Sequence, residues 1–540
     1  MPSVGFNMTE RTFSKFLLVN PPTGLYRRDD RCQCTVEDQT VQVVFPPMDL
    51  ALAAACAERE GAVCRIEDYP AAGRGWDAFL SDIEEFKPDV LVVNSTTATM
   101  EGDLQTCFLA KEKFPGILTV ARGETLVVNA STVLIDHPEL DVVLPNEAEE
   151  AVGEFAAGHP FCAIKGLHFR SDLLERVGEA PASTLVEPGG KAQMSARKAR
   201  TLPPETPAAI VAGAAARHVY FTGRRELQPD LDSLPFPARH LLRNDLYRSP
   251  ETGNPLTVIH GNRGCPAKCI YCPAGVLTDF TVRLRKPERL VAELQECVER
   301  YGIREFLFHG DTFTINKRWL KELCDGIEAA KLDIHWGCNS RVDTMDDERA
   351  QMMKRAGCWV VAFGIEHGDQ MMLDKMKKNA TVEQAREAVA CCKRNGLRVH
   401  CFMVIGLPWE TEETLNTTFR FLKELDPDFF DFNLATPLPG TELHQIALKE
   451  GLFEADYDAA RAGYATGGMR TLSGMSSADL VRWRQRHLLK LYLRPGYITR
   501  MLTRAGGARN TMHYFKAGTK RLWQLTAGRK PSSAPETADA

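Results

Sequence analysis

The run Arg263-Gly264-Cys265-Pro266-Ala267-Lys268-Cys269-Ile270-Tyr271-Cys272-Pro273 sets three cysteines within eight residues, at the spacing C-x3-C-x2-C. Three thiolates offered by one tight loop select soft metals and iron–sulfur clusters. A closed zinc site would want a fourth protein ligand, and an open one a carboxylate or histidine beside it. None lies at finger spacing here. A cubane held by three cysteines leaves one iron without a protein ligand, free to bind and activate a small molecule. Glycine and proline inside the run mark a loop, not the spacing of core cysteines.

Around this loop the chain alternates strands and helices. Apolar runs predict strands at 257–260, 305–309, 335–339, 359–364, 398–405 and 431–436, with helices between them. Six such units predict a partial barrel with ligands at the C-terminal strand ends. Those ends are polar or glycine-bearing: His309-Gly310-Asp311-Thr312, Asn339-Ser340-Arg341, Gly364-Ile365-Glu366 and Val404-Ile405-Gly406-Leu407-Pro408. The last strand leads into Thr436-Pro437-Leu438-Pro439-Gly440-Thr441.

Residues 13–155 carry a second alternation. Strands are predicted at 16–20, 62–66, 90–94, 118–121 and 142–144, and helices near 48–60, 76–86, 103–113 and 147–156. Continuous β-branched runs between helices imply a buried parallel sheet, hence a doubly wound α/β domain. Such domains bind ligands at the carboxyl ends of their strands. There the chain offers Asn94-Ser95-Thr96-Thr97 and Arg122-Gly123-Glu124, short hydroxyls and a glycine that lets backbone approach a ligand.

The cysteine loop and the ordered strand ends resemble the radical S-adenosylmethionine (SAM) enzymes, over roughly residues 14–450. The resemblance implies that Cys265, Cys269 and Cys272 hold a 4Fe–4S cluster whose open iron chelates SAM, with Tyr271 packed beside it. It implies SAM contacts from Gly310 and Asp311 to the amino group, from Asn339 and Arg341 near the carboxylate and ribose, from Glu366 near the ribose, and from the Ile405 segment beside adenine. A carboxylate suits an ammonium, and an arginine can clasp a carboxylate bidentately. The N-terminal domain resembles the cobalamin-binding domain of a large subfamily, through Asn20-Pro21-Pro22, Ser95-Thr96-Thr97 and Asn146-Glu147-Ala148-Glu149. That implies cobalamin contacts from Ser95, Thr96, Thr97, Arg122, Gly123 and Glu147. Two departures stand out. No Asp-x-His-x-x-Gly motif offers cobalt a lower histidine, and the Gly-Gly-x-His turn of relatives reads Arg122-Gly123-Glu124. A relic domain that no longer binds cobalamin is the alternative.

The expected organisation is therefore α/β: a doubly wound (Rossmann-like) cobalamin-binding domain over 13–157, a connector over 158–250, a partial (β/α)6 radical SAM barrel over 251–450, and a helical basic region over 451–540 with a disordered end. Residues 178–217, rich in Ala, Pro and Gly, predict a mobile excursion. Asp232-Ser233-Leu234-Pro235-Phe236-Pro237 resembles the family's entry to the barrel. The charged loop from Tyr26 to Cys34 reads either as a substrate-facing element or as a solvated surface loop.

Composition sets the remaining bounds. Hydrophobic residues make up 44% of the 540 and charged residues 25%, as in ordinary globular chains. No apolar run nears the ~18 residues of a membrane span, and no secretory signal is evident. Sixteen cysteines in such a chain favour a reducing, cytoplasmic setting with thiols and a metal site. The pair Cys391–Cys392 reads as helical and structural. Net charge is −5, yet residues 480–535 hold thirteen Lys/Arg and no acid. This basic, aromatic-bearing tail fits an anionic bilayer surface, a phosphorylated substrate or nucleic acid, or simply a cap on the barrel; nucleic acid is the least expected partner.

The function implied by the resemblance is reductive cleavage of SAM to a 5′-deoxyadenosyl radical, with a flavodoxin or ferredoxin as electron donor, and cobalamin-dependent methylation of an unactivated carbon of a small-molecule substrate. A lipid-like substrate would follow from a membrane-bound tail, at the inner face of the membrane. The alternatives are an oxidative cyclase of the anaerobic tetrapyrrole type, or a non-catalytic cobalamin-binding module.

Overall fold

Strands that are apolar on both faces need cover on both faces, and helices supply it. The computed structural model describes residues 13–28, 35–36, 42–123, 126, 129–144, 147–177, 219–455, 457, 463 and 465–503. Glu124, Asn146, the 178–217 stretch, the loop beyond Arg28 as far as Cys34, and the tail beyond 503 lie outside the described residues. The first sheet contains β1 (Lys15–Asn20), β2 (Val63–Asp68), β3 (Val90–Asn94), β4 (Leu118–Arg122), β5 (Val142–Val143), β6 (His168–Arg170) and β7 (Val219–Phe221) in the order β2-β1-β3-β4-β5-β6-β7. β1 to β5 run parallel; β6 and β7 add antiparallel strands within the stretch expected as a connector. Residues 16–19 of β1 and all of β3 are buried. The order reverses between β1 and β3, the crevice where doubly wound sheets take ligands. Here Asn94 Nδ2 donates to Asn20 Oδ1 at 3.0 Å, and the buried Arg28 joins the Asn94 carbonyl (2.7 Å) to Asp103 (2.9 Å). The start of the charged loop is thus an internal staple.

The second sheet contains β8 (Leu256–His260), β11 (Glu305–His309), β12 (His335–Ser340), β13 (Cys358–Glu366), β14 (Arg398–Ile405) and β15 (Phe429–Leu434), all parallel and in sequence order. Between β8 and β11 a small antiparallel pair intervenes, β9 (Asn262–Arg263) with β10 (Arg283–Leu284). Along each strand one residue in two packs outward against the helices: Phe306, Phe308, Trp336, Cys338, Phe363, Val399 and Cys401 join Leu290, Leu320 and Val389 in one core. The intervening positions face the inner side. Cys391 and Cys392 are buried in the helix Val382–Arg394, as their spacing predicts.

The described part of the basic tail is barrel packing. In the helix Ser477–Tyr492, Leu480, Leu488 and Leu491 enter the core, and Arg484 Nε donates to the Phe432 carbonyl of the edge strand at 2.5 Å. Tyr497 hydroxyl donates to the Asp428 carbonyl at 3.1 Å, and Arg494 pairs with Asp426. Tyr492 and Tyr497 pack tilted against Phe430, and Trp483 meets Phe432 edge to face. Among the described residues no helix is long and apolar enough to cross a membrane.

One buried carboxylate fixes where β8 delivers the cysteine loop. Glu293 accepts from Arg239 and Arg285, each at 2.6 Å, and these arginines also donate to the Val258 and His260 carbonyls. Burial opposes the charged form, but the two guanidiniums prevail and hold the carboxyl at about 2 rather than 4.5. A depressed carboxyl pKa stabilises the fold above the unfolded value, and that contribution is lost as pH falls through the folded one. Glu293→Gln should therefore cost about 3 kcal/mol or more at neutral pH and flatten the fall in urea midpoint between pH 4.5 and 2. An unchanged midpoint at pH 7 would show the cluster to be dispensable.

Candidate active site between the cysteine loop and the first sheet

β8 ends at His260, and the chain turns through β9 into Gly264 and Cys265. Gly264 sits at φ +90°, and a Cβ there would stand 1.8 Å from the Thr281 carbonyl oxygen, so only glycine fits. Its N–H donates to Asp311 Oδ2 at 2.5 Å. Cys265 Sγ lies 3.4 Å from Thr312 Oγ1. Further along, Ile270 N–H donates to the Met376 carbonyl (3.1 Å) and the Ile270 carbonyl accepts from Leu443 (2.9 Å). The loop is thereby tied to the ends of three elements. No disulfide engages Cys265, Cys269 or Cys272, and all three are half-buried.

The strand ends gather round this loop. Glu366 and Lys378 form a buried pair at 2.7 Å, and Glu366 adopts φ +69°, unusual for a residue with a side chain, at a bulge in β13. Burial, then Cys269 and Glu366, push the Tyr271 phenol well above its usual range. Burial likewise raises the Cys269 thiol, while Lys378 and Arg341 pull it back. Arg341 reaches Asp343 at 2.8 Å and the Lys378 carbonyl at 2.9 Å. Gly310 lies against the Asn262 amide, where a Cβ would come within 1.9 Å of Oδ1. Asn339 is half-buried at the end of β12. Ile405 differs from its neighbours: its side chain packs in the helix-facing core, and its carbonyl accepts from Ala435 at 2.8 Å.

The expected cobalamin residues converge on the switch-point end of the first sheet. Ser95, Thr96 and Thr97 are buried; Ser95 N–H donates to the Arg122 carbonyl (2.9 Å), and Thr96 N–H to Asp103 (3.2 Å). Arg122 pairs with Asp49 at 3.0 Å and donates to Asn94 Oδ1. Burial works against the Asp49 carboxylate, but Arg122, His260 and Arg263 hold it below its ordinary range. Gly123 follows, close to the Ser95 carbonyl. Glu147, at φ +55°, accepts from Arg283 at 2.7 Å and lies 3.6 Å from Arg263, which also bonds Glu149. The arginine that opens the cysteine run is therefore clasped to the other domain.

Three cysteines on one loop, with Lys378 and Arg341 near Cys269, suit an anionic cluster. Among the described residues no three His, Cys, Asp or Glu side chains converge on a point that could hold a single ion. Lys378, Asn262 and the clasp of Arg263 and Arg283 were not singled out from the sequence. A lysine in a Lys377-Lys378 pair reads as solvated, and only tertiary contact buries it.

Residues 259–422 match the family model described as the Radical SAM superfamily. The chain is 29% identical over 442 residues to an uncharacterised methyltransferase of Pyrococcus horikoshii, covering 81% of this chain and 84% of that one. It is 26% identical over 381 residues to the anaerobic magnesium-protoporphyrin IX monomethyl ester cyclase of Rubrivivax gelatinosus, covering 68% and 62%. In fold it is similar to the radical SAM methyltransferase TsrM of Kitasatospora setae, solved with cobalamin and a [4Fe-4S] cluster bound: TM-score 0.61, 16% identity, 96% of this chain and 100% of that chain. The three-thiol loop at the C-terminal end of a parallel barrel lies in the part of the chain, residues 259–422, that carries a radical SAM domain, with a doubly wound domain clasped over it.

Proposed function

We propose that this enzyme is a cobalamin-dependent radical SAM methyltransferase acting on an unactivated carbon of a small molecule. The observation that carries the proposal is the clasp of Arg263 and Arg283 on Glu147 and Glu149, which holds the start of the cysteine loop against the turn that follows β5 of the first sheet. When bound, the cluster and SAM supply one-electron chemistry and cobalamin a transferable methyl group. The chain's own part is to hold, orient and exclude water. Cys265, Cys269 and Cys272 hold the cluster, with Tyr271 beside it. Asp311 and Gly310 meet the SAM ammonium, Asn339 and Arg341 its carboxylate and ribose edge, Glu366 its ribose, and the Ile405 backbone its adenine. Ser95, Thr96, Thr97, Arg122, Gly123 and Glu147 line the cobalamin crevice. The working divisions are 13–157, 158–250, 251–450 and 451–540, in a cytoplasmic protein that takes its electron from a flavodoxin or ferredoxin.

The cyclase relative supports a second reading, oxidative ring closure. Product analysis separates the two: methylated product with S-adenosylhomocysteine for methylation, neither for cyclisation. Peripheral membrane association draws its support from the seven basic residues beyond 503. Sedimentation with anionic vesicles that weakens with salt, and on truncation after Thr503, tests it; truncation at Leu480 would instead strip the core.

Anaerobically purified protein should be brown and carry about one cluster per chain. Changing Cys265, Cys269 and Cys272 together to Ala should abolish bound iron, and iron retained at the wild-type level would remove the cluster from this loop. Deoxyadenosine release under dithionite should fall roughly tenfold or more in Asp311→Ala or Arg341→Ala, since a charge-assisted hydrogen bond contributes about 1.5–3 kcal/mol. Wild-type rates in both variants would sink the assignment of these strand ends to SAM.

A further inference from the structure

A buried hydroxyl stands beside the first cysteine of the loop. Thr312 Oγ1 lies 3.4 Å from Cys265 Sγ, and Thr312 has no exposure to solvent. Among the described residues no other group hydrogen-bonds that hydroxyl. A hydroxyl taken out of water needs a partner, and here the partner is sulfur. A neutral thiol accepts weakly, whereas an ionised sulfur accepts strongly. A cysteine that serves as a thiolate ligand carries no proton, so in that state Thr312 is the donor and Cys265 Sγ the acceptor.

Both sides of this contact are held in place. Next to Thr312, the buried Phe313 packs in the aromatic core, 4.8 Å from Phe308 and 5.2 Å from Trp319 between ring centroids. Its N–H donates to the Asn339 carbonyl at 3.4 Å. Thr314 Oγ1 lies 2.6 Å from Thr344 Oγ1 and also meets the Ser340 hydroxyl. The turn after β11 is therefore anchored to the end of β12 and to the core behind it. A β-branched side chain on such a turn has little freedom at χ1, so the hydroxyl keeps its direction. On the loop side, Gly264 is fixed by the Asp311 carboxylate and by the close Thr281 carbonyl, and Cys265 follows it directly.

Hydrogen bonds to the sulfurs are one of the levers that set the reduction potential of an iron–sulfur cluster. An added electron places more negative charge on the sulfurs, so an O–H···S bond is stronger in the reduced state and favours it. We propose that Thr312 raises the reduction potential of the cluster by donating its hydroxyl to Cys265 Sγ, and so sets how far a low-potential one-electron donor can reduce it. The electron passes from that donor to the cluster, and Thr312 keeps its proton. The inference rests on the radical SAM reading of this loop and adds a residue that the SAM contacts leave out.

The test is a potentiometric titration of reconstituted full-length protein, without SAM or substrate, read from the paramagnetic resonance signal of the reduced cluster. Thr312→Val keeps the shape of the side chain and removes the hydroxyl; Thr312→Ser restores it. At the wild-type midpoint the ratio of reduced to oxidised cluster should fall about threefold or more in Thr312→Val, since a hydrogen bond to a charged group is lost more from one redox state than from the other. It should stay near the wild-type value in Thr312→Ser, with equal iron in all three proteins. Where Thr312→Val does not hold iron, Thr312→Ala takes its place in the titration, with the same shift expected. An unchanged midpoint without the hydroxyl, or a shift in Thr312→Ser as large as that in Thr312→Val, would overturn the proposal. So would loss of iron from both Thr312→Val and Thr312→Ala, which would make the hydroxyl a support of the loop and not a tuner of potential. Wild-type protein that binds no iron would instead strike the underlying radical SAM reading.

Discussion

The arrangement depends on one ionic clasp. Arg263 opens the cysteine run, and Arg283 stands opposite it on the antiparallel pair; both face Glu147 and Glu149 of the first domain. All four side chains are largely buried. Such a group gains little net stability over an apolar contact, because desolvation offsets much of the attraction. What it gives is register: removal of any one partner strands a buried charge, so the two domains hold one relative placement. The thiol loop inherits that placement directly, since Gly264 and Cys265 follow Arg263 in the chain.

The barrel side is built with the same economy of parts. Asp311 bonds Gly264, Ile270 is tied to Met376 and Leu443, and Glu410 couples two strand ends by accepting from Gly406 at 3.2 Å and meeting the buried His367 at 3.2 Å. Each contact ties a loop to the end of a strand or helix. The outward residues of the strands make a dry core with the helices, which frees the inner face for polar groups. Rigid walls and a polar lumen are what a reaction with a reactive intermediate needs: fixed geometry and excluded water.

Much of the fold was legible in the sequence. Strands 90–94, 305–309 and 398–405 fall where the apolar runs put them, and the helix Trp76–Phe86 matches its predicted span. Continuous apolar runs are the signature of parallel strands covered on both faces, so period and burial agree. β6 and β7 escaped because three-residue strands on either side of the Ala-, Pro- and Gly-rich 178–217 stretch carry no periodic signal. The cysteine loop was legible because its ligands are local in sequence. The clasp and the Glu366–Lys378 pair were not, because each is assembled from residues apart in the chain. The tail allowed both a membrane face and a cap on the barrel, and the contacts of Trp483, Tyr492 and Tyr497 with β15 decide for the cap over its described part.

The central claim is that two cofactors face one another across the clasped domains. Paramagnetic resonance of full-length protein loaded with cob(II)alamin and a one-electron-reduced cluster tests it most directly. The account predicts that each centre broadens and speeds the relaxation of the other, and that Arg263→Met weakens this coupling while both cofactors remain bound. A spectrum of the doubly loaded protein equal to the simple sum of the singly loaded forms would contradict it.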